Sequence, residues 1–143
     1  MNRDELAKPF PAGYWGNWEA EFGHNFFDAH ADRTCEYDKH FIEPELSGKS
    51  VLEIGGFPGL LASVYIARGC KVVAIDSPNY RPEYYLKFAE SQLFQSISHD
   101  INYGAPPDFD EHFDVAVMSD VLLHNAGFPS EFMKWTIKHC DKI

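Results

Sequence analysis

Short apolar runs alternate with helix-like stretches through the second two thirds of the chain. Four runs have the length and β-branched content of strands, namely 50–54, 71–75, 94–98 and 113–118. Between the first two, apolar residues at helical spacing predict a helix over 58–68, with Gly69 as its C-terminal cap. This alternation is typical of βαβ units, so the pattern predicts an α/β domain around a mainly parallel sheet.

The remaining helices are predicted from periodicity and from their boundary residues. A helix over 83–92 follows a proline-containing loop, and Ser130 is predicted as the N-cap of the last helix. Upstream, 18–28 and 34–42 read as helices, and Pro44 is expected to end the second. We therefore predict an N-terminal helical segment over residues 1–47 and one α/β domain over residues 48–143.

Composition narrows the class of protein. The chain has 143 residues, 45% of them hydrophobic, and a formal net charge of −10. One packed domain is therefore expected, and binding to nucleic acid through its phosphates is disfavoured. No apolar run is long enough to cross a membrane. Three cysteines without a C-x-x-C pair, and an N-terminus without a secretory pattern, predict a cytoplasmic protein with reduced thiols.

The stretch from the first predicted strand into the following helix carries the chemistry. Glu53 lies at the end of the strand, and glycines at 55, 56 and 59 lead into the helix. Glycine lets the backbone approach a ligand closely, and the start of a helix offers unpaired N–H groups. Asp76 ends the next strand, where an acid can accept hydrogen bonds from both hydroxyls of a ribose. A tight strand-to-helix connection needs the same glycines, but the spacing to Asp76 favours a nucleoside site.

The glycine spacing separates two classes of nucleoside ligand. The dinucleotide fingerprint G-x-G-x-x-G is absent, and Glu53 would repel a pyrophosphate. A ligand with an amino-acid end and no phosphate fits better, and S-adenosylmethionine is such a ligand. An oxidoreductase that uses a nicotinamide dinucleotide stays as a distant alternative.

These motifs resemble, in the same order, those of class I S-adenosylmethionine-dependent methyltransferases. The first motif is matched by residues 53–59, the second-strand acid by Asp76, and the acid after the third strand by Asp100. Residues 113–124 are similar to the fourth-strand motif, so the resemblance covers residues 48–143. It implies a Rossmann-like three-layer sandwich with strand order 3-2-1-4. The cofactor-binding positions that it implies are Glu53, Gly55, Gly56, Phe57, Gly59, Asp76, Ser77, Asp100, Ile101 and Ser119.

The resemblance also implies a reaction and the residues around it. A substrate atom would attack the methyl carbon of the sulfonium in line and form a bond to it, while the bond from sulfur to that carbon breaks and S-adenosylhomocysteine leaves. Asp120 and His124 lie past the fourth strand, where a general base would help, although a histidine in such a place is more often a polar residue at a helix end than a catalytic base. Tyr14, Trp15 and Trp18 could close over the sulfonium as a lid, or could simply be packing aromatics.

Two departures from the family pattern affect the expected activity. Phe57 stands where the family usually has its middle glycine, and Ile143 is reached before the fifth strand. An uncovered edge on the fourth strand would invite association, so we expect a homodimer or a partner chain there. The alternative function is a catalytically silent or regulatory subunit.

The expected methyl acceptor is a small molecule, because the chain is acidic. Two histidines and two aspartates in the N-terminal segment invite a metal interpretation, but a solvated acidic face is favoured and no metal is predicted; they are His24, Asp28, His30 and Asp32.

Overall fold

The computed structural model describes residues 1–56, 59–77, 91–106, 109–118 and 130–143. The N-terminal part contains α1 (Arg3–Ala7), α2 (Tyr14–Phe22), α3 (Phe26–Tyr37) and a π-helical segment, π1 (Asp38–Leu46). The rest contains β1 (Ser50–Ile54), α4 (Leu60–Ala67), β2 (Lys71–Asp76), β3 (Phe94–Ser98), a 3₁₀ turn (Ile101–Tyr103), β4 (Val115–Met118) and α5 (Ser130–His139).

The four described strands form one parallel sheet in the order β3-β2-β1-β4. This confirms the predicted strand order and the Rossmann-like α/β class. The bounds of β1 and β3 agree with the prediction, and β2 extends one residue further, to Asp76. β4 begins at Val115 rather than at Phe113, because Phe113 makes an isolated parallel bridge to Cys140. The two central strands are almost completely buried, as expected when helices cover both faces.

Alternation along the strands divides the core into two layers. Val51 faces the N-terminal helices and α4, whereas Leu52 and Ile54 face the layer that contains the 3₁₀ turn and α5. The sheet therefore lies between two helical layers, which is the predicted three-layer sandwich. By the same alternation, Glu53 and Asp76 belong to the face of the N-terminal helices.

The N-terminal helices differ from the predicted bounds. The helix predicted over 18–28 is interrupted at Gly23, which adopts a φ of 76°, and Asn25 caps a new helix by accepting from the Asp28 N–H. Pro44 does not end the next helix, because the chain continues through it as π1. Burial of Ile42 and Leu46 against the core stabilises this segment beyond the proline.

A buried ion pair joins the N-terminal segment to the end of α4. Asp38 is completely buried and accepts hydrogen bonds from Arg68 at 2.8 and 2.6 Å and from the ammonium group of Met1 at 2.8 Å. Burial alone would raise the pKa of Asp38, but these hydrogen bonds and charges outweigh it and lower the pKa. Leu6 and Ile42 share one buried cluster with Val51, so the helices pack directly on the sheet.

Two remaining predictions concern the ends of helices. Ser130 is the first residue of α5, not its N-cap, and the helix predicted over 83–92 falls on residues outside the described ranges except for its last two, which are not helical. None of the helices in the described ranges has the length and apolar content needed to cross a bilayer. Cys35, Cys70 and Cys140 are free thiols.

Candidate cofactor site at the strand ends

The carboxyl ends of β1 and β2 meet at one edge of the sheet. The N–H of Gly55 donates to the carbonyl oxygen of Ile75 at 2.9 Å, which holds the turn after β1 against β2. The Asp76 carbonyl in turn accepts from the N–H of His99 at 2.8 Å, which ties in the chain after β3. Three successive strand ends are thus linked by backbone hydrogen bonds, and this is the edge at which open α/β sheets bind ligands.

The glycines after β1 make the turn into α4. Gly55 and Gly59 have φ values of 76° and 94°, a left-handed backbone that other residues rarely adopt. The Gly59 N–H donates to the Gly56 carbonyl at 2.7 Å, and the Gly59 carbonyl accepts from the Ser63 N–H at 3.0 Å. Gly59 is therefore the N-cap of α4. Of the predicted cofactor positions in this loop, Phe57 lies outside the described residues.

Glu53 is buried beneath this turn. Its side chain is 1% exposed, and neither carboxyl oxygen has a hydrogen-bond partner among the described residues. A methyl group built on Gly56 would lie closer than 3.0 Å to the Glu53 carboxyl, so the loop rests directly on the acid. Burial, and to a lesser extent the nearby charge of Asp76, raise the pKa of Glu53 from 4.5 to about 8.

Asp76 lies close to Glu53 on the same face of the sheet. The register pairs Glu53 with Ala74, two residues before Asp76 on β2. Asp76 is 8% exposed and Ser77, which follows it, is half-buried. Two buried carboxyl groups, those of Glu53 and Asp76, therefore border the glycine turn.

Asp100 and Ile101 lie just after β3. One oxygen of Asp100, Oδ1, accepts from the backbone N–H and the side-chain amide of Asn102, both at 2.9 Å. Asp100 thus caps the 3₁₀ turn, whereas Ile101 packs into the opposite layer of the core. Only one oxygen of Asp100 is used by this turn among the described contacts.

The predicted catalytic residues cannot be placed. Asp120 and His124 lie outside the described residues, as does Ser119, so these assignments stay predictions. β4, the strand that precedes them in the sequence, ends at Met118 beside Ile54 of β1.

The predicted lid aromatics belong to a cluster of rings. Tyr14 and Trp15 lie against each other with ring centres 4.8 Å apart, and both pack on the core layer that includes Val51. Trp18 is 4% exposed and contacts Phe22, with ring centres 4.2 Å apart. Tyr14 and Trp15 thus pack on the face to which Glu53 belongs, and the lid role of all three residues stays a prediction.

Two features of the site were missed by sequence reasoning. Tyr65 reads as an apolar residue of a helix, yet its buried hydroxyl has no hydrogen-bond partner among the described residues. Burial, followed by the charge of Glu53, raises the pKa of Tyr65 well above its usual value. The second feature is that Gly56 makes room for Glu53. No sequence signal distinguishes either from an ordinary core tyrosine or loop glycine.

The residues considered for a metal site are engaged elsewhere. Asp28 and Asp32 both form ion pairs with Arg3, and the Nδ1 atom of His30 lies 2.9 Å from Arg33. Across the described ranges, no group of three metal-binding side chains comes together.

Comparison with solved structures supports the fold at low sequence identity. The cyclopropane-fatty-acyl-phospholipid synthase-like protein from Lactobacillus casei aligns with 97% of this chain and 54% of its own, at 18% identity and a TM-score of 0.68. The mitomycin 7-O-methyltransferase MmcR aligns with 80% of this chain and 35% of its own, at 14% identity and a TM-score of 0.58.

A third similar structure contains ligands. Coclaurine N-methyltransferase, bound to N-methylheliamine and S-adenosylhomocysteine, aligns with 81% of this chain and 33% of its own, at 16% identity and a TM-score of 0.57. The chain therefore spans between a third and just over half of the length of these structures. A comparison with curated proteins gives no match.

The family assignment comes from a family model rather than from these structures. The model described as "Methyltransferase domain" matches residues 27–142, which is most of the chain. The match begins within α3 and includes the whole described sheet. The chain therefore belongs to the methyltransferase domain family.

Proposed function

We propose that this domain binds S-adenosylmethionine at the carboxyl ends of β1, β2 and β3 and transfers its methyl group to a small molecule. The observation that carries the proposal is Glu53, a buried acid without a hydrogen-bond partner directly beneath a glycine turn. An unpaired buried carboxyl group is costly unless a ligand or a proton compensates it. Similar structures bound to S-adenosylhomocysteine and to sinefungin support this choice of ligand.

Each end of the ligand has a counterpart in the site. Glu53 would accept from the amino group of the methionyl end, and Asp76 would accept from the ribose hydroxyls. Asp100, with Oδ1 held by Asn102, would use its other oxygen toward the adenine amine, beside Ile101. The start of α4 at Gly59 offers backbone N–H groups to the ligand carboxylate.

The cofactor, when bound, supplies an electrophilic methyl group on a sulfonium. The protein would contribute mainly by holding the acceptor in line with that methyl group. We place Asp120 or His124 as the base that takes a proton from the acceptor, and Tyr14, Trp15 and Trp18 as aromatic cover for the sulfonium.

The small-molecule acceptor is proposed from charge. A net charge of −10 disfavours a polyanionic substrate such as RNA, because no excess of Lys and Arg compensates its phosphates. The coclaurine and mitomycin enzymes among the similar structures also carry names of small-molecule methyltransferases. If the purified chain methylates RNA but not small amines or phenols, the proposed small-molecule acceptor is wrong. The free cysteines agree with a cytoplasmic, reducing location.

The outer edge of β4 is proposed as an association surface. Residues 139–142 already run parallel to it, with the Ala116 N–H donating to Lys142 at 2.9 Å. A groove of about 460 Å³ continues along β4 between Phe41 of π1 and Ile143. We propose that a second copy or a partner chain covers the remainder of this edge, beyond Ala116, and light scattering after size exclusion would show a monomer if this is wrong.

Calorimetric titration with S-adenosylhomocysteine tests the proposed binding. Asp76→Ala should weaken binding by about 10-fold to 100-fold, since one hydrogen bond to a charged group contributes roughly 1.5–3 kcal/mol. Asp32→Ala, on the exposed face of α3, is the matched control and should bind like the wild type. Absence of binding heat, or equal binding by Asp76→Ala, would contradict the proposal.

The alternative function is a silent or regulatory methyltransferase-like subunit. It shares the cofactor site and differs in catalysis, so binding experiments cannot separate the two. Transfer of a labelled methyl group from S-adenosylmethionine to any acceptor would exclude the silent subunit. Binding without transfer to a broad acceptor panel, by an assembled and folded protein, would favour it.

A further inference from the structure

The Glu53 carboxyl group is buried without compensation. It is 1% exposed, and its two oxygens have no hydrogen-bond partner within the described ranges. No positively charged side chain among the described residues acts on it. Buried carboxylates are almost always paired or hydrogen-bonded, so an ionised Glu53 would be strongly unfavourable here. The free protein therefore needs a proton on this group.

The neighbours of Glu53 on the described strands and on α4 lead to the same conclusion. On the adjacent strands, its register partners Ala74 and Val117 are apolar. Asp76 on β2 is acidic, and Tyr65 on α4 presents a buried neutral hydroxyl. Desolvation and the charge of Asp76 together raise the pKa of Glu53 to about 8. At neutral pH the uncharged acid is accordingly the main form.

We infer that Glu53 holds a proton in the free protein and releases it when a ligand with a protonated amine binds, which makes the site selective for such ligands. This inference rests on the proposed function and concerns the regulation of the same site. The O–H bond of the acid breaks, the proton passes to the buffer, and the carboxylate accepts an N–H from the ammonium. The approach is from the end of β1, where Gly55 turns the chain with a φ of 76°.

The number of protons released on binding follows from the protonated fraction of Glu53 in the free protein. With a pKa of about 8, Glu53 is about 0.9 protonated at pH 7 and about 0.5 protonated at pH 8. Binding of S-adenosylhomocysteine should release these fractions of a proton per molecule bound. Because the free site must lose its proton first, the affinity should rise about 10-fold or more between pH 6.5 and pH 8.

The experiment is calorimetry of the full chain at fixed pH in two buffers that differ in their enthalpy of protonation. S-adenosylhomocysteine carries the amine, whereas 5′-methylthioadenosine carries the same nucleoside without the amino-acid end. The first ligand should release a proton and the second should release none. Glu53→Gln should abolish the release, and Glu36→Gln, whose side chain is 66% exposed, should behave as the wild type.

The outcomes separate this inference from the proposed function. Binding of S-adenosylhomocysteine without proton release at pH 7, or release that persists in Glu53→Gln, overturns the inference and leaves the proposed function intact. Absence of binding by either ligand overturns both. Carbon-13 NMR of the ligand-free protein adds a readout that needs no ligand: a Glu53 carboxyl that titrates below pH 6, assigned by its loss in Glu53→Gln, overturns the inference.

Discussion

The carboxyl group of Glu53 occupies the space that a side chain on Gly56 would need. An alanine Cβ at position 56 would lie closer than 3.0 Å to the Glu53 side chain. The strand end and the glycine turn are therefore one unit, in which the loop covers the acid. This relationship explains why an acidic residue and a small residue occur together at this spacing, independently of what the site binds.

We expect Gly56→Ala to destabilise the protein by about 1–3 kcal/mol, because the added methyl group forces Glu53 or the loop to move. Gly56 is not among the glycines with positive φ, so the cost is steric rather than a backbone cost. Gly16→Ala is the control, since nothing lies within 4 Å of its added Cβ inside α2. In urea unfolding, the free energy of unfolding of Gly16→Ala should equal that of the wild type or be slightly higher. Equal stability of the two variants would contradict the packing described here.

The pH dependence of the unfolding free energy should report the raised pKa of Glu53. Its pKa is raised from 4.5 to about 8, so the folded state holds a proton that the unfolded chain has lost between these values. The contribution of this group is fully present below pH 4.5 and is lost as the pH rises through about 8. Glu53→Gln should remove this decline and unfold at a higher temperature than the wild type at pH 8. If the stability of Glu53→Gln falls by the same amount over this pH range, groups other than Glu53 cause the fall.

The buried ion pair of Asp38 has the opposite pH dependence. Because the folded-state pKa of Asp38 is lowered, its contribution is present above its usual pKa and is lost as the pH falls through the folded-state value. Asp38→Ala should cost about 2–4 kcal/mol at pH 7, since it leaves the half-buried Arg68 without its main partner. The difference from the wild type should shrink at low pH in denaturant titrations.

An exposed ion pair gives the comparison for Asp38. Lys134 and Glu131 pair on α5 with both side chains 71% exposed, so Lys134→Ala should change the unfolding free energy by about 0.5 kcal/mol or less. An effect of Asp38→Ala as small as this one would show that the buried pair does not join the N-terminal helices to α4.

Asp114 should protect the start of β1 from exchange. Its Oδ2 atom accepts from both the backbone N–H and the hydroxyl of Ser50, each at 2.7 Å, and these bonds lower the pKa of Asp114. Asp114→Ala should therefore speed hydrogen exchange of the Ser50 amide while leaving the Leu52 amide, deep in the sheet, unchanged. Unchanged exchange at Ser50 would show that another group satisfies this N–H.

Local patterns predicted the sheet well. The strands 50–54 and 94–98 have the observed bounds, because runs of apolar or alternating residues between turn signals are local properties of the chain. The order of the strands followed from the resemblance of four motifs. Two helix predictions were wrong for different reasons. At Gly23 a left-handed glycine ends α2 and the Asn25 side chain caps α3, so the boundary is local. At Pro44 the chain continues as π1, because residues on both sides of the proline pack on the core.

For the candidate site too, some features follow from the sequence and others only from the folded chain. Residue type and spacing were enough to select Glu53, the glycine turn and Asp76, since strand ends of a parallel sheet meet at one edge. Only the folded chain shows that Glu53 has no partner, that Gly56 lies on it and that Tyr65 is close by. Desolvation depends on what every neighbouring element covers, so the protonation state of a buried acid is a tertiary property that no stretch of sequence contains.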